Sequence, residues 1–362
     1  MHPVIAIDAR AAAEVPAGRG RYVRELLRGL ARLDGGRYLL LARTPWEEPA
    51  LDGRFRWRLI GLPDPLWHVA AAAHAGRAAD ALLSTNSYLT AWFSPIPTAP
   101  VVFDLVPFVD RANAQSRAAR IERATIRPAL ARAAALPCIS EATRQDLVRR
   151  FPRARAKASV IPLAADEAFA HAVAGDVPAR HGLDRPYVLA VGTLEPRKNL
   201  ERLVAAWARL PATLRETHQL ALVGPRGWSD EPILRAAAEA GAQLLGRVDD
   251  EELAALYAGC TAFAYPSLYE GFGLPVLEAM SAGAPVLTSN ASSLPEVAGD
   301  AALLVDPRDT DAIAAALQRL LEDTALAAEL RARGRERAAA FSWDRTARET
   351  RALLYDIART RS

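Results

Sequence analysis

Residues 187–200, YVLAVGTLEPRKNL, set the pattern on which the fold of the C-terminal half rests. The apolar run Tyr187–Val191 predicts a buried strand, Gly192 ends it, and a helix follows the loop. Arg197 and Lys198 therefore lie where the loop meets the helix. Two cations and free backbone N–H groups at a helix N-terminus favour a phosphate or diphosphate, and a glycine permits close approach of that ligand. An ordinary strand–loop–helix with surface charges is the alternative interpretation.

A second informative stretch is residues 266–283, PSLYEGFGLPVLEAMSAG. Glu270 lies on a loop with Gly271 and Gly273, whose open backbone offers N–H groups to an anion. Glu278 follows eight residues later, in the first turns of the next helix. Carboxylates accept hydrogen bonds from paired sugar or ribose hydroxyls. A phosphate at a helix N-terminus together with hydroxyls at carboxylates indicates a nucleotide sugar.

Strands and helices alternate along the whole chain, which predicts parallel pairing and doubly wound sheets. In the first half, the pattern predicts a strand at Val101–Phe103, ending at Asp104, and a helix over Asn113–Ala135. The stretch Ala164–Arg185 has no clear apolar periodicity and is predicted to be a linker, after which the pattern restarts. The fold class is therefore α/β, with two Rossmann-like domains facing across a cleft. Ligands of such sheets bind beyond the carboxyl ends of the strands.

The chain has 362 residues, of which 51% are hydrophobic and 24% charged, as expected for a soluble protein of two domains. The net charge of +3 is unevenly spread, because residues 1–165 hold 24 basic and 14 acidic side chains, whereas residues 166–362 hold 21 and 28. A basic first half is consistent with peripheral contact with an anionic membrane, or with a solvated arginine-rich surface. No nucleic-acid partner is expected, because the basic residues are not interleaved with aromatic ones.

The N-terminus shows no signal-peptide pattern and no run of eighteen uncharged apolar residues occurs, which predicts a cytoplasmic protein that could lie at the inner face of the membrane. The two cysteines, Cys138 and Cys260, are expected to be reduced, buried thiols. Only Lys157 and Lys198 are lysines among 45 basic residues. A lysine in such a background is a candidate for a site that needs a compact ammonium group.

The C-terminal motifs resemble those of the retaining glycosyltransferases of the GT4 family, which have the GT-B architecture. The resemblance includes the Arg197–Lys198 pair, the spacing of Glu270 and Glu278 within EGFGLPVLEAMSAGAPV, and the later stretches SLPEV and LVDP. It is dense in the C-terminal half and loose in the N-terminal half. It implies an acceptor-side domain over residues 1–165, a nucleotide-sugar-binding domain over residues 166–342, and a last helix over residues 343–362 that crosses back to the first domain. A last helix packed on its own domain is the alternative.

The resemblance also implies roles for individual residues. Arg197 and Lys198 would bind the donor diphosphate and offset charge on the leaving group, and Glu270 would hold hydroxyls of the transferred sugar. Glu278 would hold the ribose, and the backbone near Gly246 and Val248 would meet the base; further donor contacts fall on Gly192, Gly271, Phe272, Gly273 and Leu274. The resemblance implies a metal-independent site without a cofactor, in which the nucleotide sugar, GDP- or UDP-linked, is a co-substrate.

In the N-terminal half, AGRGRY at residues 17–22 resembles the glycine loop of the family, so Gly18 and Gly20 are predicted to approach the donor phosphates. The segment VFDLVP at residues 102–107 matches a strand end where many relatives have His-Asp, and Phe103 replaces that histidine. Three readings stay open. A donor phosphate oxygen can accept the acceptor proton, Asp104 can fill the space as a catalytic group, or the protein is a binder without activity.

The predicted function is a retaining, metal-independent transfer of a hexose from a nucleotide sugar to a glycan or a lipid-diphosphate-linked glycan. Mannose is the favoured sugar, because IDAR, GRGRY and FDLVP resemble bacterial polysaccharide mannosyltransferases of this family. The alternatives are a nucleotide-sugar-binding protein without transferase activity and a sugar-nucleotide epimerase on the same fold.

Overall fold

The computed structural model describes residues 2–15, 18–109 and 117–359. The chain separates into two compact units, of which unit 1 comprises Met1–Leu163 and Ser342–Ser362, and unit 2 comprises Ala164–Phe341. Each unit is built on a parallel sheet whose strands alternate with helices along the chain. The α/β class predicted from the alternating pattern is thereby confirmed.

Unit 1 has a five-stranded parallel sheet in the order β3-β2-β1-β4-β5, followed by the parallel pair β6-β7. A single bridge between Val102 and Cys138 links the pair to the chain that leaves β5. The direction of winding reverses between β1 and β4, which opens a crevice at their carboxyl ends. The strands are β1 (Val4–Asp8), β2 (Arg37–Ala42), β3 (Phe55–Leu59), β4 (Ala81–Ser84), β5 (Thr98–Pro100), β6 (Leu136–Cys138) and β7 (Ala158–Val160).

In unit 1, an N-cap and a closely packed glycine mark the starts of two of the helices. Ser140 caps the seventh helix by accepting a hydrogen bond from the backbone N–H of Thr143 at 3.0 Å. Gly20 has no space for a side chain, since a Cβ there would come 1.7 Å from the carbonyl oxygen of Val15. The helices are α1 (Arg10–Glu14), α2 (Arg19–Arg32), α3 (Leu66–Ala78), α4 (Tyr88–Phe93), α5 (Val106–Val109), α6 (Arg117–Arg132) and α7 (Glu141–Arg150).

Unit 2 has a six-stranded parallel sheet in the order β10-β9-β8-β11-β12-β13, so its winding reverses between β8 and β11. The four central strands are buried along their whole length, which explains their continuous apolar runs. The strands are β8 (Tyr187–Val191), β9 (Gln219–Val223), β10 (Gln243–Gly246), β11 (Ala262–Tyr265), β12 (Val286–Ser289) and β13 (Ala302–Val305).

The helices of unit 2 cover both faces of this sheet, and acidic residues cap several of them. Asp249 is the N-cap of the helix over Asp250–Gly259, because its carboxylate accepts a hydrogen bond from the Glu252 N–H at 2.8 Å. The helices are α8 (Glu167–Ala170), α9 (Val177–Arg180), α10 (Leu200–Ala208), α11 (Ala212–Thr217), α12 (Glu231–Glu239), α13 (Asp250–Gly259), α14 (Leu274–Ala282), α15 (Leu294–Ala298), α16 (Thr310–Glu322) and α17 (Thr324–Ala339).

The last helix, α18 (Trp343–Arg359), belongs to unit 1 and packs along α2. Gly29 lets the two helices approach closely, because a Cβ there would lie 2.8 Å from the Cβ of Ala347. The hydroxyl of Thr346 donates to the carbonyl of Pro162 at 2.7 Å. Within the part of the chain that the structure describes, no helix combines the length and hydropathy needed to cross a bilayer.

Three sequence-based expectations differ from the structure. The predicted linker Ala164–Arg185 is a packed part of unit 2 that contains α8 and α9, since Phe169 is buried with its ring 5.8 Å from that of Tyr257. The predicted strand Val101–Phe103 is displaced, because β5 ends at Pro100 and only Val102 forms a further bridge. Helix α6 ends at Arg132, three residues before the predicted end at Ala135, and residues 113–116 of the predicted helix lie outside the described residues.

Candidate functional site

A buried cluster of charged and hydroxyl groups surrounds Glu270 in unit 2. One carboxylate oxygen, Oε1, accepts hydrogen bonds from Lys198 Nζ at 2.8 Å, Tyr265 Oη at 2.8 Å and Ser267 Oγ at 2.7 Å. The other, Oε2, accepts from Arg197 Nη1 at 2.7 Å. The structure therefore brings together the three side chains that the sequence singled out as diphosphate and sugar ligands.

The cluster lies where the winding of the unit 2 sheet reverses. Arg197 and Lys198 form a single 3₁₀ turn with Pro196 after β8, whereas Glu270 follows β11. Because β8 and β11 are neighbours, the two loops meet at the carboxyl edge of the sheet. The cations thus lie one turn before α10, and Asn199, in the left-handed conformation with φ 60°, separates them from that helix.

Backbone contacts hold the two loops together. The N–H of Leu268 donates to the Arg197 carbonyl at 2.9 Å, and the hydroxyl oxygen of Ser267 lies 3.0 Å from the same carbonyl oxygen. Arg197 Nη1 in turn donates to the carbonyl of Tyr269 at 2.8 Å. The side-chain amide of Asn199 donates to the Pro266 carbonyl at 2.9 Å. These bonds fix where the charged side chains point, independently of a ligand.

Opposite charges decide the protonation states in the cluster. Burial on its own would raise the pKa of the Glu270 carboxyl, but the adjacent Lys198 and Arg197 charges outweigh it and lower that pKa to about 2. Burial lowers the pKa of Lys198, although Glu270 opposes the shift. The pKa of Arg197 is raised because Glu270 and Glu195 outweigh the effect of burial. The Nη2 of Arg197 donates to Glu195 Oε1 at 2.5 Å, so two carboxylates balance two cations.

Glycines close the carboxyl ends of three neighbouring strands in unit 2. Gly192 follows β8 with φ 147°, and a Cβ there would lie 3.3 Å from Cε of Lys198. A Cβ at Gly224, after β9, would meet the Gly192 carbonyl oxygen at 2.1 Å. The Gly224 N–H donates to the carbonyl of Gly246, which ends β10, at 2.7 Å. Val248 lies in the loop after β10, so the residues assigned to the base lie at the edge strand.

The loop before α14 is held in place by a buried phenylalanine side chain. Gly273 is the N-cap of this helix with φ 121°, and Leu274 is its first residue. Gly271 lies two residues before Gly273. Phe272 is buried against Phe341, with ring centroids 5.9 Å apart. The loop can therefore present backbone N–H groups at a fixed position. That they touch a diphosphate stays a prediction.

Glu278 lies in the second turn of α14 and is only 2% exposed. The hydroxyl of Tyr257, on α13, donates to its Oε2 at 3.3 Å. This hydrogen bond joins α13 to α14. The ribose-binding role implied by the family resemblance stays a prediction.

The remaining predicted residues, Gly18, Gly20 and Asp104, belong to unit 1. Gly18 is the N-cap of α2 with φ 55°, and Asp104 Oδ1 accepts a hydrogen bond from the Val106 N–H at 2.9 Å. Phe103, which stands where the resemblance predicts histidine, packs edge-on against the ring of Tyr22 with centroids 5.1 Å apart. An aromatic contact thus replaces a titratable side chain at this position.

The one Asp-x-Asp spacing in the sequence falls on Asp309 and Asp311. Asp309 caps α16 by accepting a hydrogen bond from the Ala312 N–H at 2.9 Å, and Asp311 forms an ion pair with Arg209 at 2.5 Å. Within residues 2–15, 18–109 and 117–359, no group of three or more His, Cys, Asp and Glu side chains could hold a metal ion.

The sequence analysis did not identify four residues that belong to the Glu270 cluster or hold it in place. They are polar residues at or next to the carboxyl ends of the adjacent strands β8 and β11: Glu195, Asn199, Tyr265 and Ser267. The signal that could have found them is their position, since polar groups after neighbouring central strands meet at one edge of a parallel sheet.

Comparison with protein families gives one match to each half of the chain. The family model described as Glycosyltransferase Family 4 matches residues 16–169, and the model described as Glycosyl transferases group 1 matches residues 177–337. The two matched ranges correspond to the two sheets and include the Glu270 cluster. Two doubly wound sheets with these two matches are the architecture of the GT-B class of glycosyltransferases. The chain belongs to the GT4 family of glycosyltransferases.

Several curated relatives are mannosyltransferases. The O-antigen chain mannosyltransferase B of Escherichia coli is 47% identical over 168 residues, which cover 45% of this chain and 44% of the relative. The MMP alpha-(1->4)-mannosyltransferase of Mycolicibacterium hassiacum is 34% identical over 221 residues, covering 59% of this chain and 52% of the relative. The chain thus spans about half the length of these curated relatives.

Solved structures share the fold over the whole chain. Sucrose-phosphate synthase from Thermosynechococcus elongatus superimposes with a TM-score of 0.78 and 26% sequence identity, covering 100% of both chains. The Anabaena protein Alr3699/HepE in complex with UDP and glucose gives a TM-score of 0.76 with 16% identity, covering 98% of this chain and 99% of the other. At 16% identity, the similarity to the Anabaena protein concerns the fold alone.

Proposed function

We propose that this protein is a retaining, metal-independent glycosyltransferase that moves a hexose, with mannose the favoured sugar, from a nucleotide sugar to a glycan acceptor in bacterial polysaccharide synthesis. The observation that carries the proposal is the buried cluster of Arg197, Lys198 and Glu270 at the switch point of the unit 2 sheet. The names of the O-antigen mannosyltransferase relatives support the choice of sugar and pathway.

The cluster offers groups of opposite charge to the two parts of a nucleotide sugar. Arg197 and Lys198 provide cationic donors for a diphosphate, and the Glu270 carboxylate accepts hydrogen bonds from sugar hydroxyls. Without a ligand, the cations are neutralised by Glu195 and Glu270. A diphosphate would share these contacts with the carboxylates or replace them. The two buried cations would therefore face negative charge both before and after the donor binds.

In the proposed reaction, the bond between the anomeric carbon of the donor sugar and the diphosphate oxygen breaks, and a bond to an acceptor hydroxyl oxygen forms on the same face. The acceptor proton passes to a phosphate oxygen of the leaving nucleoside diphosphate. Arg197 and Lys198 stabilise the negative charge that develops on the leaving group. This route needs no titratable side chain at position 103, which is consistent with Phe103 in place of a histidine.

The donor is tested by titrating the purified protein with UDP-, GDP- and dTDP-sugars in a calorimeter and by following donor hydrolysis and transfer. We expect binding of a mannose donor, GDP-mannose first, and a loss of turnover of at least about 100-fold in Arg197→Ala, Lys198→Ala and Glu270→Ala. Exposed residues of unit 2 provide matched controls, Arg308→Ala and Glu239→Gln, which should keep wild-type activity.

Other outcomes identify the alternatives. Failure to bind any of these donors would refute a nucleotide-sugar enzyme. Binding without turnover would indicate a nucleotide-sugar-binding protein, and an isomerised sugar formed without an acceptor would indicate an epimerase. Retention is checked by the anomeric configuration of the product in NMR spectra, and metal independence by activity in the presence of a chelator, where loss of transfer would contradict the proposal.

We further propose that the acceptor is a glycan on a lipid diphosphate and that the protein contacts the cytoplasmic face of the membrane peripherally. The basic excess of residues 1–165 supports this contact, because anionic lipid attracts arginine-rich surfaces. Binding to vesicles of phosphatidylglycerol and phosphatidylcholine should fall steeply as salt is added. Binding that is absent, or insensitive to salt, would count against it.

A further inference from the structure

The stretch SLPEV, residues 293–297, packs directly on the loop between β11 and α14. Ser293, the N-cap of α15, is fully buried, and its hydroxyl donates to the Phe272 carbonyl at 2.6 Å. Leu294 lies against the end of the same loop, since a Cβ at Gly273 would come 2.8 Å from its Cδ2. The start of α15 therefore supports the loop that carries the candidate sugar ligand.

Ser292, the residue before this stretch, contacts both backbone polar groups of Glu270. The N–H of Glu270 donates to Ser292 Oγ at 2.9 Å, and the Ser292 hydroxyl donates in turn to the Glu270 carbonyl. One hydroxyl thus spans the N–H and the C=O of the residue whose carboxylate is the centre of the cluster. These two bonds fix the backbone on both sides of the Glu270 Cα, and with it the point from which the side chain leaves the loop.

The backbone of Ser292 is in the left-handed conformation, with φ 59°. This conformation is costly for a residue with a Cβ, and glycine adopts it most easily. Residues persist in such conformations where the surrounding structure over-determines them, and they cluster at functional sites. A glycine at position 292 would avoid the backbone cost but would lack the hydroxyl that holds Glu270.

The turn between β12 and α15 is anchored independently of the loop. At its start, the N–H of Asn290 donates to the Val305 carbonyl, on β13, at 2.8 Å. At the other end, Arg337 of α17 donates to the carbonyls of Glu296 and Val297 at 2.6 and 2.9 Å. The turn is thus held by β13 and α17, which lets it act as a fixed support for the loop.

The Glu270 cluster depends on accurate placement of this one carboxylate. Its two oxygens accept hydrogen bonds from four side chains at 2.7–2.8 Å. Two of the donors, Arg197 and Lys198, lie on the separate loop after β8. A shift of about 1 Å in the Glu270 loop would lengthen several of these bonds beyond the range in which they are strong.

We propose that Ser292 is a positioning residue for sugar transfer, whose two hydrogen bonds to the Glu270 backbone hold that carboxylate where it meets the transferred sugar. The inference rests on the proposed function, because Glu270 is the sugar ligand of that reaction. Ser292 acts through Glu270. The alternative is a purely structural role, in which Ser292 stabilises unit 2 and activity changes only as far as stability does.

Ser292→Ala and Ser292→Gly separate the two roles. Both variants lack the hydroxyl, but glycine adopts φ 59° without the cost of a Cβ, so Ser292→Gly should resist urea better than Ser292→Ala. We expect kcat for donor hydrolysis and transfer to fall at least about tenfold in both, with no advantage for the more stable glycine variant. Thr324→Ala, an exposed change in unit 2, is the matched control and should keep wild-type kcat.

Two further measurements locate the effect at Glu270. The dissociation constant of GDP, which has no sugar for Glu270 to hold, should stay within about threefold of wild type, because Arg197 and Lys198 lie on the other loop. In the protein without donor, amides of residues 270–273 should exchange at least about tenfold faster in both variants, while those of Tyr187–Val191 are unchanged.

Kinetics are measured with GDP-mannose, or with the sugar nucleotide that the donor titration selects, in which case its nucleoside diphosphate replaces GDP. A kcat within about threefold of wild type in either variant would overturn the inference, and so would a kcat that follows stability or a loss of nucleoside diphosphate affinity as large as the loss of kcat. In each case a wild-type protein that hydrolyses the donor leaves the proposed function standing. If no sugar nucleotide binds the wild-type protein, the proposed function fails and the inference fails with it.

Discussion

Replacing Glu270 by glutamine should destabilise unit 2 by an amount that depends on pH. The Glu270 carboxyl is 9% exposed, and its pKa is lowered from 4.5 to about 2 by Lys198 and Arg197, which outweigh the effect of burial. Each pKa unit corresponds to about 1.4 kcal/mol, so the ionised carboxylate contributes roughly 3 kcal/mol to folding at neutral pH. Glu270→Gln removes that contribution and leaves two cations with less neutralisation.

The sign of the pH dependence of this stability contribution follows from the lowered pKa of Glu270. The contribution is fully present above the unfolded-state pKa of 4.5 and is lost as pH falls through the folded-state value of about 2. The difference between wild type and variant should therefore be roughly 3 kcal/mol at pH 7 and should shrink steadily below about pH 4.5. At the acid limit, wild-type Glu270 is itself neutral and resembles the glutamine.

The measurement is hydrogen exchange of the full chain in urea, read from peptides that cover Tyr187–Val191 and Ala262–Tyr265 in unit 2. Peptides over Val4–Asp8 in unit 1 serve as an internal reference, and the exposed change Glu239→Gln as a matched control. Equal protection of wild type and Glu270→Gln at pH 7, or a difference that widens on acidification, would refute the reasoning.

A ligand experiment on the same variant tests the electrostatic cause. Pyrophosphate should stabilise Glu270→Gln more than wild type, because Arg197 and Lys198 have lost one carboxylate that competes with the anion. Stabilisation of the wild type by an equal or larger amount would show that the carboxylate does not oppose anion binding.

Three further predictions concern stability and reactivity. Lys157→Ala should lower the unfolding free energy by about 1–2 kcal/mol in urea denaturation, because Lys157 donates to three carbonyls at the C-terminal end of α6. Gly29→Ala should raise hydrogen exchange in α18 and cost about 1–3 kcal/mol, since the new Cβ would meet Ala347 at 2.8 Å; unchanged exchange there would contradict the packing. Cys138 and Cys260 should resist thiol reagents at pH 8 until the protein is denatured, because burial raises both pKa values to about 12.

The two lysines show how far a compositional signal can reach. Lys198 lies in the buried cluster, where a compact ammonium contacts Tyr265 and Glu270 at 2.6 and 2.8 Å. Lys157 instead caps a helix in unit 1, at 2.7 Å from the Ala133 carbonyl. The scarcity of lysine thus pointed to two positions. Lys157 has three carbonyl acceptors, whereas Lys198 has a buried carboxylate and is the one that lies at the candidate site.

The sequence by itself determined the order and type of the main elements, because apolar periodicity, glycines and caps act over a few residues. The strands from β8 to β13 and the cap at Asp249 follow from such local signals. The exact ends of strands were less certain. In unit 1, β5 ends at Pro100, and one further bridge at Val102 takes the place of the expected strand Val101–Phe103.

The tertiary structure alone decided which distant residues meet. The sequence indicated Arg197, Lys198 and Glu270, but the addition of Tyr265 depends on β8 and β11 being neighbours in the sheet. The sequence left open on which domain the last helix packs, and the close approach of α18 to α2 at Gly29 and Ala347 assigns it to unit 1. Long-range contacts of this kind depend on complementary shape and burial across the whole fold, which local periodicity does not encode.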